Sequence, residues 1–134
     1  MNDRPRPEID VIDVVKEFDA GAIRALAGAS MSVAAGEFVA VTGPSGCGKS
    51  TLLHLVAALD RPTSGSIVVG GQDLAQTDLN RYRRHVVGLV FQLHNLLPHL
   101  TALKNIEIAM FANGMSYTEQ RQKAHALLGD VGLA

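Results

Sequence analysis

The run Gly43-Pro44-Ser45-Gly46-Cys47-Gly48-Lys49-Ser50 constrains this 134-residue chain more than any other feature. Gly43, Gly48, Lys49 and Ser50 meet the spacing G-x-x-x-x-G-K-[ST]. Glycines let a backbone wrap closely around phosphate oxygens with its N–H groups pointing inward. A helix beginning near Lys49 aims its unpaired N–H groups and positive dipole end at the same anion. Lys49 is then expected to reach the β- and γ-phosphates of a nucleoside triphosphate, with the Ser50 hydroxyl on Mg²⁺. Thr51 is placed to add a hydrogen bond to the α-phosphate. Cys47, at a helix N-terminus and near Lys49, reads either as a reactive thiol or as a small residue filling a tight loop.

The flanking residues supply the strand and helix that such a loop requires. Residues 37–42 (EFVAVT) read as a short buried strand, and residues 50–59 as a helix with Leu52, Leu53, Val56 and Leu59 on one stripe. Upstream, residues 9–15 (IDVIDVV) and 25–33 read as strands, with a turn over 16–22. Downstream, residues 66–69 form a strand closed by the hairpin signal Gly70-Gly71, and Thr77 is expected to cap a short helix to His85. Residues 86–91 (VVGLVF) read as another buried strand ending at Gln92. Helices follow, one capped by Thr101 and running to Phe111. Another opens with the capping box Ser116/Glu119, its apolar stripe being Ala124, Leu127, Leu128 and Val131.

Composition narrows the class. The chain is 47% hydrophobic with a formal net charge of −1, so it is globular and carries no overall pull toward nucleic acid or anionic membrane. Arg81, Arg83, Arg84 and His85 around Tyr82 read as a short solvated helix, and no nucleic acid is expected. A single cysteine excludes an internal disulfide framework and fits a reducing compartment. The polar, proline-broken start shows no secretory pattern, and no window is apolar for long enough to span a bilayer. The histidines at 54, 85, 94, 99 and 125 show no metal-ligand spacing and read as structural.

The segments VVKEFDAGAIRALAGASMSVAAGEFVAVTGPSGCGKSTLL, LDRPTSGSIVVGGQDL and VGLVFQLHNLLPHLTALKNI together resemble the nucleotide-binding domain of ABC transporters. The similarity runs from about Val14 to the last residue, and VFQ…NLLP…LT resembles the branch of macrolide exporters and lipoprotein-release ATPases. It implies an α/β fold, a P-loop NTPase core of ABC type with an antiparallel β subdomain and the start of an α-helical subdomain. The implied organisation is a flexible tail over 1–8, the ATPase core over 9–92, and an incomplete helical subdomain over 93–134.

The resemblance also implies roles. Phe18 matches the aromatic that stacks on adenine, its alternative being a core Phe at a strand end. Gln92 matches the glutamine that contacts Mg²⁺ and the attacking water, its alternative being a solvated loop Gln. The phosphates fall to Gly43, Pro44, Ser45, Gly46, Cys47, Gly48, Lys49, Ser50 and Thr51. Residues 93–105, with Leu93, Leu96, Leu97 and Leu100 around Pro98, match the face that receives a membrane permease subunit. Lys104 departs from the family's usual Glu and loses half of a capping box. A second nucleotide-binding domain, head to tail around ATP, is a further implied partner. The implied location is cytoplasmic, at the inner face of the cell membrane.

No LSGGQ signature, no Walker B strand with its Asp and Glu, and no later switch histidine occur in the sequence. The resemblance therefore implies the amino-terminal part of a longer, truncated domain, one that grips ATP without hydrolysing it and is marginally stable alone. The expected function of the parent is transport-coupled ATP hydrolysis, in the export direction. A non-transport ATPase of the same superfamily and a small P-loop kinase are the alternatives.

Overall fold

The computed structural model describes residues 8–93, 95–111 and 114–133, so most of the tail over 1–8 and His94 lie outside the described residues. The chain divides into two compact units, Met1–Gly88 and Leu89–Ala134, four residues short of the boundary expected at 92.

The first unit is built on an antiparallel sheet of order β2-β1-β3-β4. Its strands are β1 (Ile9–Phe18), β2 (Ile23–Val33), β3 (Ser64–Val69) and β4 (Gln72–Asp73). Strict alternation from Val11 would bury Asp13 and expose Val14. The β1–β2 ladder instead slips between Val11 and Val14, with Asp13 at φ +48°. That bulge inserts one extra residue, so Val11 and Val14 both face the core, 1% and 0% exposed. The displaced Asp13 backbone N–H donates to Ser30 Oγ at 2.9 Å. Pairing resumes beyond the bulge and carries β1 through Phe18, where the sequence pattern suggested a turn from 16 onward.

Helix α1 (Lys49–Val56) lays Leu52 and Leu55 into a core with Val11, Val14, Leu26, Ile67, Val69 and Leu74. The helix is shorter than the expected 50–59, because Ala58 turns to φ +53°. Leu53 and Leu59, expected on the inward stripe, are each 48% exposed. Helix α2 (Leu79–His85) is capped by Asp78, whose carboxylate accepts from the Asn80 and Arg81 N–H groups, and not by Thr77. Thr77 Oγ1 instead donates to Asp73 O at 2.7 Å. Tyr82 is no solvated residue: it is buried in the core and its OH donates to Val56 O at 2.7 Å.

Two expected strands, 37–42 and 86–91, have no ladder partner among the described residues. Extended backbone becomes a strand only when a neighbour satisfies its N–H and C=O groups. Without one, Phe38 and Val90 are 95% and 97% exposed.

In the second unit, α3 (Ala102–Met110) packs on α4 (Tyr117–Asp130). Thr101 caps α3 and the Ser116/Glu119 box caps α4, both as expected. Hydrogen bonds from the Ser116 hydroxyl and N–H hold the Glu119 carboxyl below its ordinary pKa. Ala124 and Leu128 are buried, but Leu127 and Val131 of the expected stripe are exposed.

Gly65 shows how tightly the bulge is packed. At φ +84° it lies against the Ile12 and Asp13 carbonyls, where a Cβ would overlap backbone atoms. Gly71, at φ +78°, faces open space. Gly65→Ala should therefore lower the unfolding free energy by about 2 kcal/mol or more, against about 1 kcal/mol for Gly71→Ala. Urea denaturation of the two variants measures the difference, and equal losses would contradict this packing.

Candidate functional site: the glycine loop and its surroundings

Gly43, Gly46 and Gly48 adopt φ of +150°, +80° and +94°. A Cβ on Gly48 would stand 2.5 Å from the Ala25 carbonyl oxygen and 2.8 Å from Leu26 Cδ2. On Gly43 it would stand 2.9 Å from Cys47 Sγ. Gly48 is thus required twice, by its left-handed backbone and by the close approach of β2. It is also the N-cap of α1 and offers no side chain to the first-turn N–H groups. Those donors are left for an external acceptor. The depression they border, about 160 Å³, is lined by Ala25, Gly46, Gly48, Lys49, Ser50 and Thr51.

Lys49 folds back along the loop. Its Nζ donates to Gly43 O at 2.8 Å and Pro44 O at 2.7 Å, and lies 3.6 Å from Cys47 Sγ. Cys47 is an exposed free cysteine. The ammonium rests on neutral carbonyls, so its charge remains available to an incoming anion. Among the described residues no cluster of three or more His, Cys, Asp or Glu side chains could hold a metal by itself. A cation here would take its ligands from the Ser50 hydroxyl, phosphate and water, which suits Mg²⁺.

Phe18 ends β1 and is 40% exposed, and Lys16 Nζ lies 4.9 Å from the ring centroid. The same ammonium pairs with Asp60 Oδ1 at 2.8 Å and donates to Arg61 O at 2.8 Å. The hydrogen bond from Lys16 is the main reason the Asp60 carboxyl titrates below its ordinary range. Because the folded pKa is lowered, this pair stabilises the fold above the unfolded Asp value and is lost as pH falls through the folded one. Neither Lys16 nor Asp60 stood out in the sequence, since 44 residues separate them.

Gln92 lies in the second unit, in an exposed bend. Nearby, Leu93, Leu96 and Leu97 are 75%, 64% and 39% exposed. Asn105 organises the segment after them: Oδ1 accepts from Leu97 N–H at 2.8 Å, and Nδ2 donates to Leu97 O, Leu100 O and Thr101 O at 3.0–3.3 Å. An amide one turn into a helix after a proline-containing loop was the available signal for this role. Lys104, the departure from the family pattern, turns from the N-terminus to Glu107, 2.5 Å away, and to the Tyr117 hydroxyl at 3.2 Å.

A left-handed glycine loop feeding a bare helix N-terminus, with a lysine folded over it, defines a P-loop nucleotide-binding protein. Residues 26–134 match the ABC transporter family, and the chain belongs to it. It is 44% identical to the lipoprotein-releasing system ATP-binding protein LolD of Geobacter metallireducens, over 94% of this chain and 58% of that one. It is 42% identical to the macrolide export ATP-binding/permease protein MacB of Hyphomonas neptunium, over 95% of this chain and 20% of that one. The ATP-binding cassette MJ0796, solved as a dimer in a post-hydrolysis state with ADP and Pi, superposes with a TM-score of 0.80 at 36% identity, over 90% of this chain and 56% of that one. The chain thus spans somewhat more than half the length of LolD and of the solved cassette. The α/β fold of an ABC-type ATPase core, read from the sequence, is the one these structures share.

Gly48→Ala should push the loop off the Ala25 carbonyl and weaken ATP binding by at least about tenfold, and Gly46→Ala, which meets open space, should do so less. Calorimetric titration checks this, and wild-type affinity in Gly48→Ala would contradict it.

Proposed function

We propose that this chain supplies the nucleotide-gripping part of the ATP-binding subunit of an ABC transporter, coupling Mg-ATP to export through a partner membrane permease. The observation that carries the reading is the lysine-strutted, left-handed loop at the open N-terminus of α1. Backbone N–H groups of Gly43 and of residues 45–48 hold the phosphate oxygens, and Lys49 exchanges its carbonyl acceptors for the β- and γ-phosphates. Anionic oxygens are the stronger acceptors, so the exchange runs toward the nucleotide. Ser50 would ligate the magnesium ion and Thr51 would hydrogen-bond the α-phosphate. The ion, when bound, neutralises charge on the phosphates. Phe18 offers the exposed part of its ring to adenine, a contact worth about 1–3 kcal/mol in comparable base stacking.

By the family resemblance, Gln92 would be the residue that contacts the magnesium ion and the attacking water. The exposed leucines around Pro98, on a segment braced by Asn105, form the docking face for the permease. A second cassette closes over the nucleotide head to tail, a reading supported by the dimeric form of the solved cassette. LolD and MacB are named for lipoprotein release and macrolide export, and this supports outward transport. No helix among the described residues is long and apolar enough to cross a membrane, which fits a subunit held at the cytoplasmic face by its permease. The three regions of 1–8, 9–92 and 93–134 then serve as tail, ATPase core and beginning of the helical subdomain.

Among the described residues, no carboxylate that could act as a general base lines the depression at the loop. The purified chain should accordingly bind Mg-ATP without turning it over, since general-base catalysis supplies about 10²–10⁴-fold. Lys49→Ala should weaken binding by about tenfold or more through loss of a charge-assisted contact. Nucleotide titration with a phosphate-release assay tests both, and rapid phosphate release by the chain alone would sink the division of labour.

A further inference from the structure

Among the described residues of the first unit, Lys16 is the less exposed of the two cations held in ion pairs. Its side chain is 12% exposed, against 61% for Arg24 in the neighbouring ion pair with Glu17. An ammonium carries three donors. Two of them reach oxygen, at Asp60 Oδ1 and Arg61 O, and the Phe18 ring takes up the remaining side of the charge. The segment around it is fastened to the same turn by backbone groups: Thr63 N–H donates to Val15 O at 2.8 Å and Glu17 N–H to Thr63 Oγ1 at 3.0 Å. Asp60 lies in the bend that comes after the turn closing α1, the helix that begins at the phosphate loop. One side chain therefore joins the end of β1 that carries Phe18 to the far end of the helix that opens at Lys49.

We infer that Lys16 is a positioning residue for the nucleotide base: clamped between the Phe18 ring and the turn at Asp60 and Arg61, it fixes the aromatic platform relative to the phosphate-loop helix. The inference rests on the reading of Phe18 as the adenine platform. A cation on one side of the ring restricts the χ angles of Phe18 and leaves the exposed remainder for a flat ligand. It also draws π-density toward itself, which favours stacking of an electron-rich purine on the free surface. The Asp60 carboxyl stays ionised throughout the neutral range, so the clamp is in place under the conditions in which ATP binds. Phosphate binding, by contrast, needs nothing from Lys16, which lines no part of the depression at the loop.

The test compares Mg-ATP with magnesium tripolyphosphate, a phosphate chain without a base, by calorimetry on the full chain. The variants are Lys16→Met, Lys16→Arg, Asp60→Asn and Phe18→Ala. Lys16→Met should weaken ATP by about fivefold and leave tripolyphosphate within about twofold, the scale of one cation–π contact. Asp60→Asn, which keeps an oxygen acceptor and a similar volume, should weaken ATP less, and Lys16→Arg should restore most of the affinity. Equal losses of both ligands in Lys16→Met would overturn the inference by making Lys16 a general support of the fold. So would unchanged ATP affinity in Lys16→Met alongside a loss in Phe18→Ala, with the stacking reading left standing. Unchanged ATP affinity in Phe18→Ala would remove that reading itself.

Discussion

The contact between Gly48 and the Ala25 carbonyl is the point on which the site depends. Only a residue without a Cβ fits at the cap of α1 there, and having no side chain it leaves the first-turn N–H groups without a side-chain partner. The contact transmits the geometry of the sheet to the loop. β2 holds Ala25 in place, β1 holds β2, and the bulge at Asp13 lets β1 turn both Val11 and Val14 into the core beneath α1. A change in the register of β1 would therefore reach the phosphate site through β2.

Two lysines divide the electrostatic work. Lys16 is nearly buried and neutralised by Asp60, so its position is fixed and its charge is spent within the fold. Lys49 has no carboxylate within ion-pair distance among the described residues and leans on carbonyl groups. Its charge is held in place but not cancelled, which is the condition for trading neutral acceptors for phosphate. In the second unit Lys104 follows the first pattern, paired with the buried Glu107.

Local chemistry was legible in the sequence and long-range chemistry was not. The glycine loop, the Gly70-Gly71 hairpin and the caps at Thr101 and Ser116 each depend on residues within a few positions, and each stands where the pattern put it. Membership of the ABC family was equally readable, because its motifs are spaced along the whole chain. The strands expected at 37–42 and 86–91 fail on the opposite ground, since a strand is a property of its neighbours and none is paired with them among the described residues. The Asp13 bulge, the Lys16–Asp60 pair and the bracing role of Asn105 likewise arise from contacts that hydrophobic periodicity does not encode. Asp78 displaced Thr77 as a cap by a single position, the usual uncertainty of a helix start.

The central claim is that residues 43–51, with Phe18, grip a nucleoside triphosphate. Backbone amide shifts of the labelled chain, followed during titration with Mg-ATP, test it most directly. The account predicts saturable shifts concentrated in the amides of Gly46, Gly48, Lys49, Ser50 and Thr51, with the Phe18 ring protons moving upfield under the base. Shifts confined to other parts of the chain, or none at concentrations that saturate related cassettes, would contradict it.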